Sequence, residues 1–80
     1  MITLFGTTNC PQCERTKQVL AGYKIEYVLM DSYKDREHLA LRCNSLNINL
    51  SEIKANPVMV TDDMVYTGDD CWRVIEEGLI

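Results

Sequence analysis

The sequence predicts an α/β domain in the order β-α-β-α-β-β-α, its four strands forming a mixed sheet flanked by helices. Three observations predict it. The apolar run Met1-Ile2-Thr3-Leu4-Phe5 is followed within a few residues by Cys10-Pro11-Gln12-Cys13 and a helical pattern. A second apolar, β-rich run, Ile25 to Met30, follows that helix and completes a βαβ unit with a right-handed crossover. Further on, two short apolar runs separated by Asp62-Asp63 read as a hairpin, and a last helix closes the order.

Residues 1–5 carry no charged side chain, which suits a buried strand. Gly6-Thr7-Thr8-Asn9 turns the chain, Asn9 or Cys10 is the N-cap, and Pro11 falls at the first helical position, where its missing N–H costs nothing. Glu14 to Ala21 holds good helix formers, with Cys13, Thr16, Val19 and Leu20 on one side; Gly22 is placed to end the helix as its C′ residue. Ile25 to Met30, nearly continuous in apolar character, reads as a buried parallel strand. Asp31-Ser32 turns or caps, and a second helix runs from Asp35 to about Cys43, with Leu39 and Cys43 at i, i+4 spacing. Residues 44–56 stay unassigned: Leu46, Ile48 and Leu50 alternate, whereas Ser51-Glu52-Ile53-Lys54 fits the start of a helical turn. Val58-Met59-Val60-Thr61 and Met64-Val65-Tyr66 are the hairpin strands. Thr67-Gly68-Asp69-Asp70 breaks the second and supplies an N-cap for a helix from about Cys71 to Glu77, with Trp72, Ile75 and Leu79 directed inward.

Eighty residues make room for one domain, 1–80, and 46% hydrophobic residues supply a core, so disorder is not expected. The net charge is −4, with acidic pairs at Asp62-Asp63, Asp69-Asp70 and Glu76-Glu77 that read as solvated turns and a helix face. Such a surface gives nucleic acid and anionic lipid no attraction. No stretch approaches the roughly 18 apolar residues of a membrane span, and the start lacks the basic region and apolar core of a signal peptide. A cytoplasmic protein is the expectation, in a compartment that keeps thiols reduced. There the close pair among four cysteines points to catalysis or metal binding rather than to a structural disulfide.

Two thiols three residues apart on a first helical turn have Cβ atoms roughly 5–6 Å apart. Small backbone adjustment brings them to the about 3.8 Å of a disulfide. Unpaired N–H groups and the macrodipole at a helix start both favour a thiolate. A free cysteine has a pKa near 8.5, which such a position lowers to about 7 or below. That is about 2 kcal/mol in favour of the thiolate. Cys10 is therefore the candidate nucleophile and Cys13, one turn along, the candidate resolving thiol. Arg15 and Lys17 add positive potential and Glu14 opposes it, all weakly at a surface.

Cys43 and Cys71 each stand alone on a predicted helix and read as buried free thiols, with an oxidation-sensitive thiol as the other reading of Cys71. His38 reads as a surface helix residue, and Trp72 and Tyr66 as core or pocket-rim residues. A second functional class is a zinc or iron–sulfur module using the same cysteines. Four-cysteine zinc sites usually show two close pairs, whereas Cys43 and Cys71 are single and far apart.

The strand before Cys10-Pro11-Gln12-Cys13, the Asn56-Pro57-Val58 step, the hairpin, and Gly68-Asp69-Asp70 before the last helix follow one another as four landmarks. In that order the chain resembles, over essentially its whole length, the glutaredoxin branch of the thioredoxin family, in its small phage or bacterial form. The resemblance implies a thioredoxin-like fold with strand order 2-1-3-4, and thiol–disulfide oxidoreductase activity through Cys10 and Cys13. It further implies that Pro57 is a cis-proline facing the disulfide and that Asn56 presents its backbone to substrate. Pro11 and Gln12 lie between the thiols, and Gly68, Asp69 and Asp70 correspond to the residues that hold the γ-glutamyl end of glutathione. No bound cofactor is implied. The implied partners are disulfide-containing proteins, ribonucleotide reductase among them, met by a monomer. Electrons come from glutathione or from a thioredoxin-reductase-like flavoprotein. Departures from the family pattern at Gln12, Ala55-Asn56 and Thr67-Gly68 leave the choice between those donors open.

Overall fold

The computed structural model describes residues 1–80. Its elements are β1 (Ile2–Gly6), α1 (Pro11–Gly22), β2 (Tyr27–Asp31), α2 (Arg36–Ser45), a 3-10 turn (Leu50–Glu52), β3 (Val58–Val60), β4 (Val65–Thr67) and α3 (Asp70–Glu76). The strands lie in the order β2-β1-β3-β4, with β1 and β2 parallel and β3 antiparallel to both β1 and β4. This is the thioredoxin-like arrangement of a four-stranded mixed sheet flanked by helices.

Strand alternation divides the core in two. On one face Leu4 and Met59 meet Leu20 of α1 and Cys71, Val74 and Ile75 of α3. On the other, Phe5, Val58 and Val60 meet Leu39 and Cys43 of α2, with Leu46, Ile48, Leu50 and Ile53 packed alongside. The alternating residues that left 44–56 unassigned thus line a cover over the second face, and beyond the end of α2 at Ser45 only Leu50–Glu52 turns helically.

All three helices end in one way. In each, the residue two past the last helical position adopts a left-handed conformation: Lys24 (φ 57°), Asn47 (φ 60°) and Gly78 (φ 73°). The amides that follow close back onto the helix, as in Ile25 N–H to the Leu20 carbonyl (3.0 Å), Ile48 to Cys43 (2.9 Å) and Leu79 to Val74 (2.9 Å). These are Schellman closures. The expectation that Gly22 is the C′ residue is corrected: Gly22 is the last helical residue, and Lys24 makes the turn. The helix gains that extra length because Ile25 must reach Leu20 and the apolar cluster around it.

Four further expectations are corrected. The second strand is parallel as expected but starts at Tyr27 and lies at the sheet edge, with Val28 38% and Leu29 53% exposed. Apolar content could not distinguish an edge from a centre. Thr67 belongs to β4 rather than breaking it, and Leu79, expected to face inward, is 69% exposed because α3 stops at Glu76. Trp72 is only partly buried, and Val74 takes the inward place beside Ile75.

At the end of the sheet away from the cysteine pair, Arg42 of α2 reaches back to the strands. Its guanidinium donates to Thr3 Oγ1 (2.6 Å) and to the carbonyls of Met1 (3.0 Å), Val60 (3.3 Å) and Thr61 (3.3 Å). One side chain thereby fastens α2 to β1 and β3. At the β2–α2 connection, Asp31 accepts the amides of Lys34 and Tyr33 (2.8 Å each), and these bonds hold its carboxyl below the usual carboxylate range.

A left-handed residue with a side chain costs about 1–2 kcal/mol, part of which glycine returns through its freer unfolded chain. Lys24→Gly is therefore expected to stabilise the protein by about 0.5 kcal/mol, read as a higher urea midpoint at unchanged slope.

Candidate active site

The two parallel strands end, and α1 begins, at the same edge of the sheet. Gly6, the last residue of β1, is fixed there by its carbonyl, which accepts the Ser32 amide (2.9 Å) and hydroxyl (3.4 Å) from the end of β2. The chain then turns through Asn9, whose φ of 55° is left-handed, a conformation asparagine tolerates better than most residues. Cys10 follows as the N-cap and Pro11 as the first helical residue, as the sequence predicts.

Cys10 and Cys13 are joined as a disulfide, with Cα atoms 5.2 Å apart. The two sulfurs differ in surroundings. Cys10 is partly exposed, in a shallow depression formed with Asn9, Pro11 and Glu14. Cys13 is fully buried. The Cys13 amide donates to Cys10 Sγ at 3.2 Å, so the cap position holds a sulfur where an oxygen normally sits. Gln12 is exposed, and its carbonyl accepts the buried Thr16 hydroxyl at 2.8 Å. Lys17 and Glu14 pair at 3.2 Å, so their opposing influences on the sulfur largely cancel.

The sequence assigns Gly6 only to a turn, whereas in the structure it ends β1 directly against the Cys13 sulfur. A Cβ added there would lie 3.3 Å from Cys13 Sγ. The buried Cys13 sulfur thus rests on a strand backbone that has no side chain. The signal was present in the glycine that ends an otherwise apolar strand just ahead of the motif.

The Asn56–Pro57 peptide is cis, as the resemblance implies, and Pro57 is buried. Pairing of Phe5 with Val58, carried one residue further, sets Pro57 alongside Gly6. On its other side the Pro57 carbonyl accepts the Gly68 amide at 2.9 Å. Gly6, Pro57 and Gly68 therefore form a row across the sheet end beneath the start of α1. Gly68 has φ 58°, a left-handed value that suits glycine.

Asp69 is the N-cap of α3, but its carboxylate caps no amide. It accepts the Trp72 indole N–H at 3.0 Å instead. The Arg15 guanidinium of α1 stacks 4.0 Å from the centre of that ring, a cation–π contact that links the two helices. Asp70 is exposed and lies 3.9 Å from Arg73. The Arg15–Trp72–Asp69 link went unseen in the sequence because it joins residues from different helices.

Cys71, expected as a buried thiol, is fully buried, and burial pushes its pKa up to about 12. Cys43 is buried on the opposite face of the sheet, and desolvation raises its pKa as well. The four sulfurs are therefore split among the helix start and two separate cores, and no cluster of three or more His, Cys, Asp or Glu side chains suited to a metal ion forms. His38 is exposed, with its ring 6.1 Å from Phe5. No helix is long and apolar enough to cross a membrane.

Comparison with known proteins converges on one family. The Glutaredoxin family model matches residues 2–45. A glutaredoxin-like 8.6 kDa protein from the rubredoxin operon of Clostridium pasteurianum is 30% identical, covering 85% of this chain and 84% of its own length. Among solved structures, the NrdH-redoxin of Escherichia coli, a glutaredoxin-like protein with a thioredoxin-like activity profile, has a TM-score of 0.71. It is 21% identical, with 95% of this chain and 91% of that chain covered. A glutaredoxin from Archaeoglobus fulgidus has a TM-score of 0.65 at 22% identity, over 94% of this chain and 82% of its own. At these identities the structural likenesses speak for the fold alone.

Two outcomes follow from the buried sulfurs. Gly6→Ala presses on Cys13 Sγ and is expected to cost about 1 kcal/mol of stability, measured by urea unfolding of the oxidised protein. Cys71 keeps its proton in the folded state and loses it near pH 9 when unfolded, so its contribution is complete below pH 9 and declines as pH rises from 9.0 towards about 12. Over that window wild-type stability should fall relative to Cys71→Val by up to about 1.4 kcal/mol per pH unit, measured by urea unfolding at stepped pH.

Proposed function

The chain belongs to the glutaredoxin family, a family of redox oxidoreductases, and on that premise we propose that it reduces disulfides by thiol–disulfide exchange through Cys10 and Cys13. The observation that carries this reading is the helix-start amide aimed at a partly exposed sulfur, with the second sulfur buried one turn behind. An N–H donated to sulfur favours the thiolate over the thiol.

In the reduced protein, the Cys10 thiolate attacks one sulfur of a substrate disulfide. A mixed disulfide forms, and the other substrate sulfur leaves as a thiolate that takes up a proton. Cys13 then loses its proton and attacks Cys10 Sγ. The Cys10–Cys13 disulfide forms and the second substrate thiol departs. Two electrons have moved from the protein to the substrate, and an external dithiol or two thiols must return them. The burial of Cys13 keeps it from competing for substrate, while its position on the same turn makes the second attack intramolecular.

The substrates we propose are protein disulfides and glutathione-mixed disulfides, with ribonucleotide reductase one acceptor to test. Asn56 and Pro57 would offer backbone to an extended substrate segment beside Cys10, with Pro11 and Gln12 on the exposed first turn. Between the two donor classes we favour a flavoprotein reductase of the thioredoxin-reductase kind. Support comes from Asp69, whose carboxylate is already engaged by Trp72. A reducing compartment such as the cytoplasm fits a dithiol that must be recycled.

Cys10→Ser should abolish reduction of insulin by at least about a hundredfold, since the nucleophile itself is gone. Cys13→Ser should retain the first attack and accumulate a covalent mixed disulfide, visible by mass spectrometry of the intact protein. Retained turnover in Cys10→Ser overturns the assignment. Turnover driven by glutathione but not by a thioredoxin-reductase-type flavoprotein overturns the choice of donor.

A further inference from the structure

Cys71 stands on the first turn of α3, one side chain away from the row of residues at the sheet end. Its Sγ lies 3.4 Å from the Pro57 carbonyl and 3.4 Å from the Tyr66 carbonyl. Its own amide is bonded to the Gly68 carbonyl at 3.2 Å, and Gly68 N–H in turn donates to Pro57. Three residues of β4 and its continuation, Tyr66, Gly68 and Cys71, are thus tied to the residue that precedes β3. An S–H is a weak donor, but this one is fully buried and faces two carbonyl oxygens in place of water.

The geometry points to Cys71 as a positioning residue for disulfide exchange: its thiol holds the Pro57 carbonyl from inside the domain and so fixes the backbone on which a substrate segment docks. Cys71 takes no part in the exchange of electrons. It acts only through Pro57, and the inference rests on the reading that substrate backbone lies beside that residue. Because burial holds the thiol protonated throughout the physiological range, the donor is always present. The other buried thiol, Cys43, has no such partner among the sheet-end residues; it sits in the core on the opposite face.

The packing role and the donor role separate by substitution. Cys71→Ser keeps a donor in a smaller side chain. Cys71→Ala removes the donor and leaves space, and Cys71→Val removes it while filling the space. Each variant is assayed with insulin as disulfide substrate under steady-state conditions, alongside its thermal midpoint and the reduction potential of the Cys10–Cys13 pair. Loss of the donor should raise KM about fivefold in both Cys71→Ala and Cys71→Val, the size expected for one neutral hydrogen bond, with kcat and potential unchanged. Cys71→Ser should restore the wild-type KM even though a buried hydroxyl lowers its thermal midpoint.

A KM that follows side-chain volume, normal in Cys71→Val and raised in Cys71→Ala and Cys71→Ser, overturns the inference and leaves a packing residue. So does a wild-type KM in all three variants. A wild-type protein that is folded yet reduces no disulfide overturns the exchange reading itself, and that outcome is distinct because no KM exists to compare.

Discussion

The proposed exchange chemistry depends on a sulfur occupying a helix cap. Serine, threonine, aspartate and asparagine are the residues that cap helices well, because their oxygen accepts an amide that has no partner in the helix. Here Cys10 holds that place, and the Cys13 amide reaches its Sγ. A neutral sulfur is a poor acceptor and a thiolate a good one, so the helix start is best satisfied when the sulfur is ionised. The stability of α1 and the reactivity of Cys10 are in this way the same interaction seen from two sides. Pro11 reinforces it, since a residue without an N–H leaves one fewer amide to satisfy.

The sheet supplies the geometry that this interaction requires. Parallel pairing of β1 with β2 brings Gly6 and Asp31 to the same edge, and Ser32 fastens the Gly6 carbonyl there. Antiparallel pairing of β1 with β3 brings the residue before Val58 to that edge from the opposite direction. Residues far apart in sequence, Gly6, Pro57 and Gly68, meet because one strand of the sheet runs against the others. The helices add links across the top: Arg15 of α1 stacks on Trp72 of α3, and Trp72 holds Asp69. Arg42 fastens the far end, away from the cysteine pair, with four acceptors from one guanidinium.

The parts of this that were legible in the sequence are those carried by local rules. Proline at the first helical position, the two apolar runs around the Asp62-Asp63 turn and helix formers after Cys13 each act over a few residues, and each appears where expected. The positions of Leu39 and Cys43 at i, i+4 spacing were enough to place both in the core. What was not legible depends on partners from elsewhere in the chain. Val28 and Leu29 are apolar whether a strand lies inside a sheet or at its rim, so composition could not reveal that β2 is an edge. Gly22 looks like a helix terminator by type, yet Ile25 must reach Leu20, and this moved the left-handed turn to Lys24. Trp72 has the spacing of a core residue and is drawn partly outward by Arg15 and Asp69. Within the site, the cysteines and Pro57 could be named from sequence, whereas Gly6 and the contacts of Cys71 needed the register between strands.

The sealing of Cys43 and Cys71 into opposite cores gives the chain an internal bookkeeping of sulfur. An oxidant or alkylating agent that reaches the folded, reduced protein finds only Cys10 of the four cysteines, and Cys13, buried one turn behind, can protect it by pairing. Irreversible damage at the other two must wait for the core to open. Chemical damage at Cys43 and Cys71 is therefore governed by how often their cores open, while the exchange proposed for Cys10 and Cys13 leaves those cores untouched.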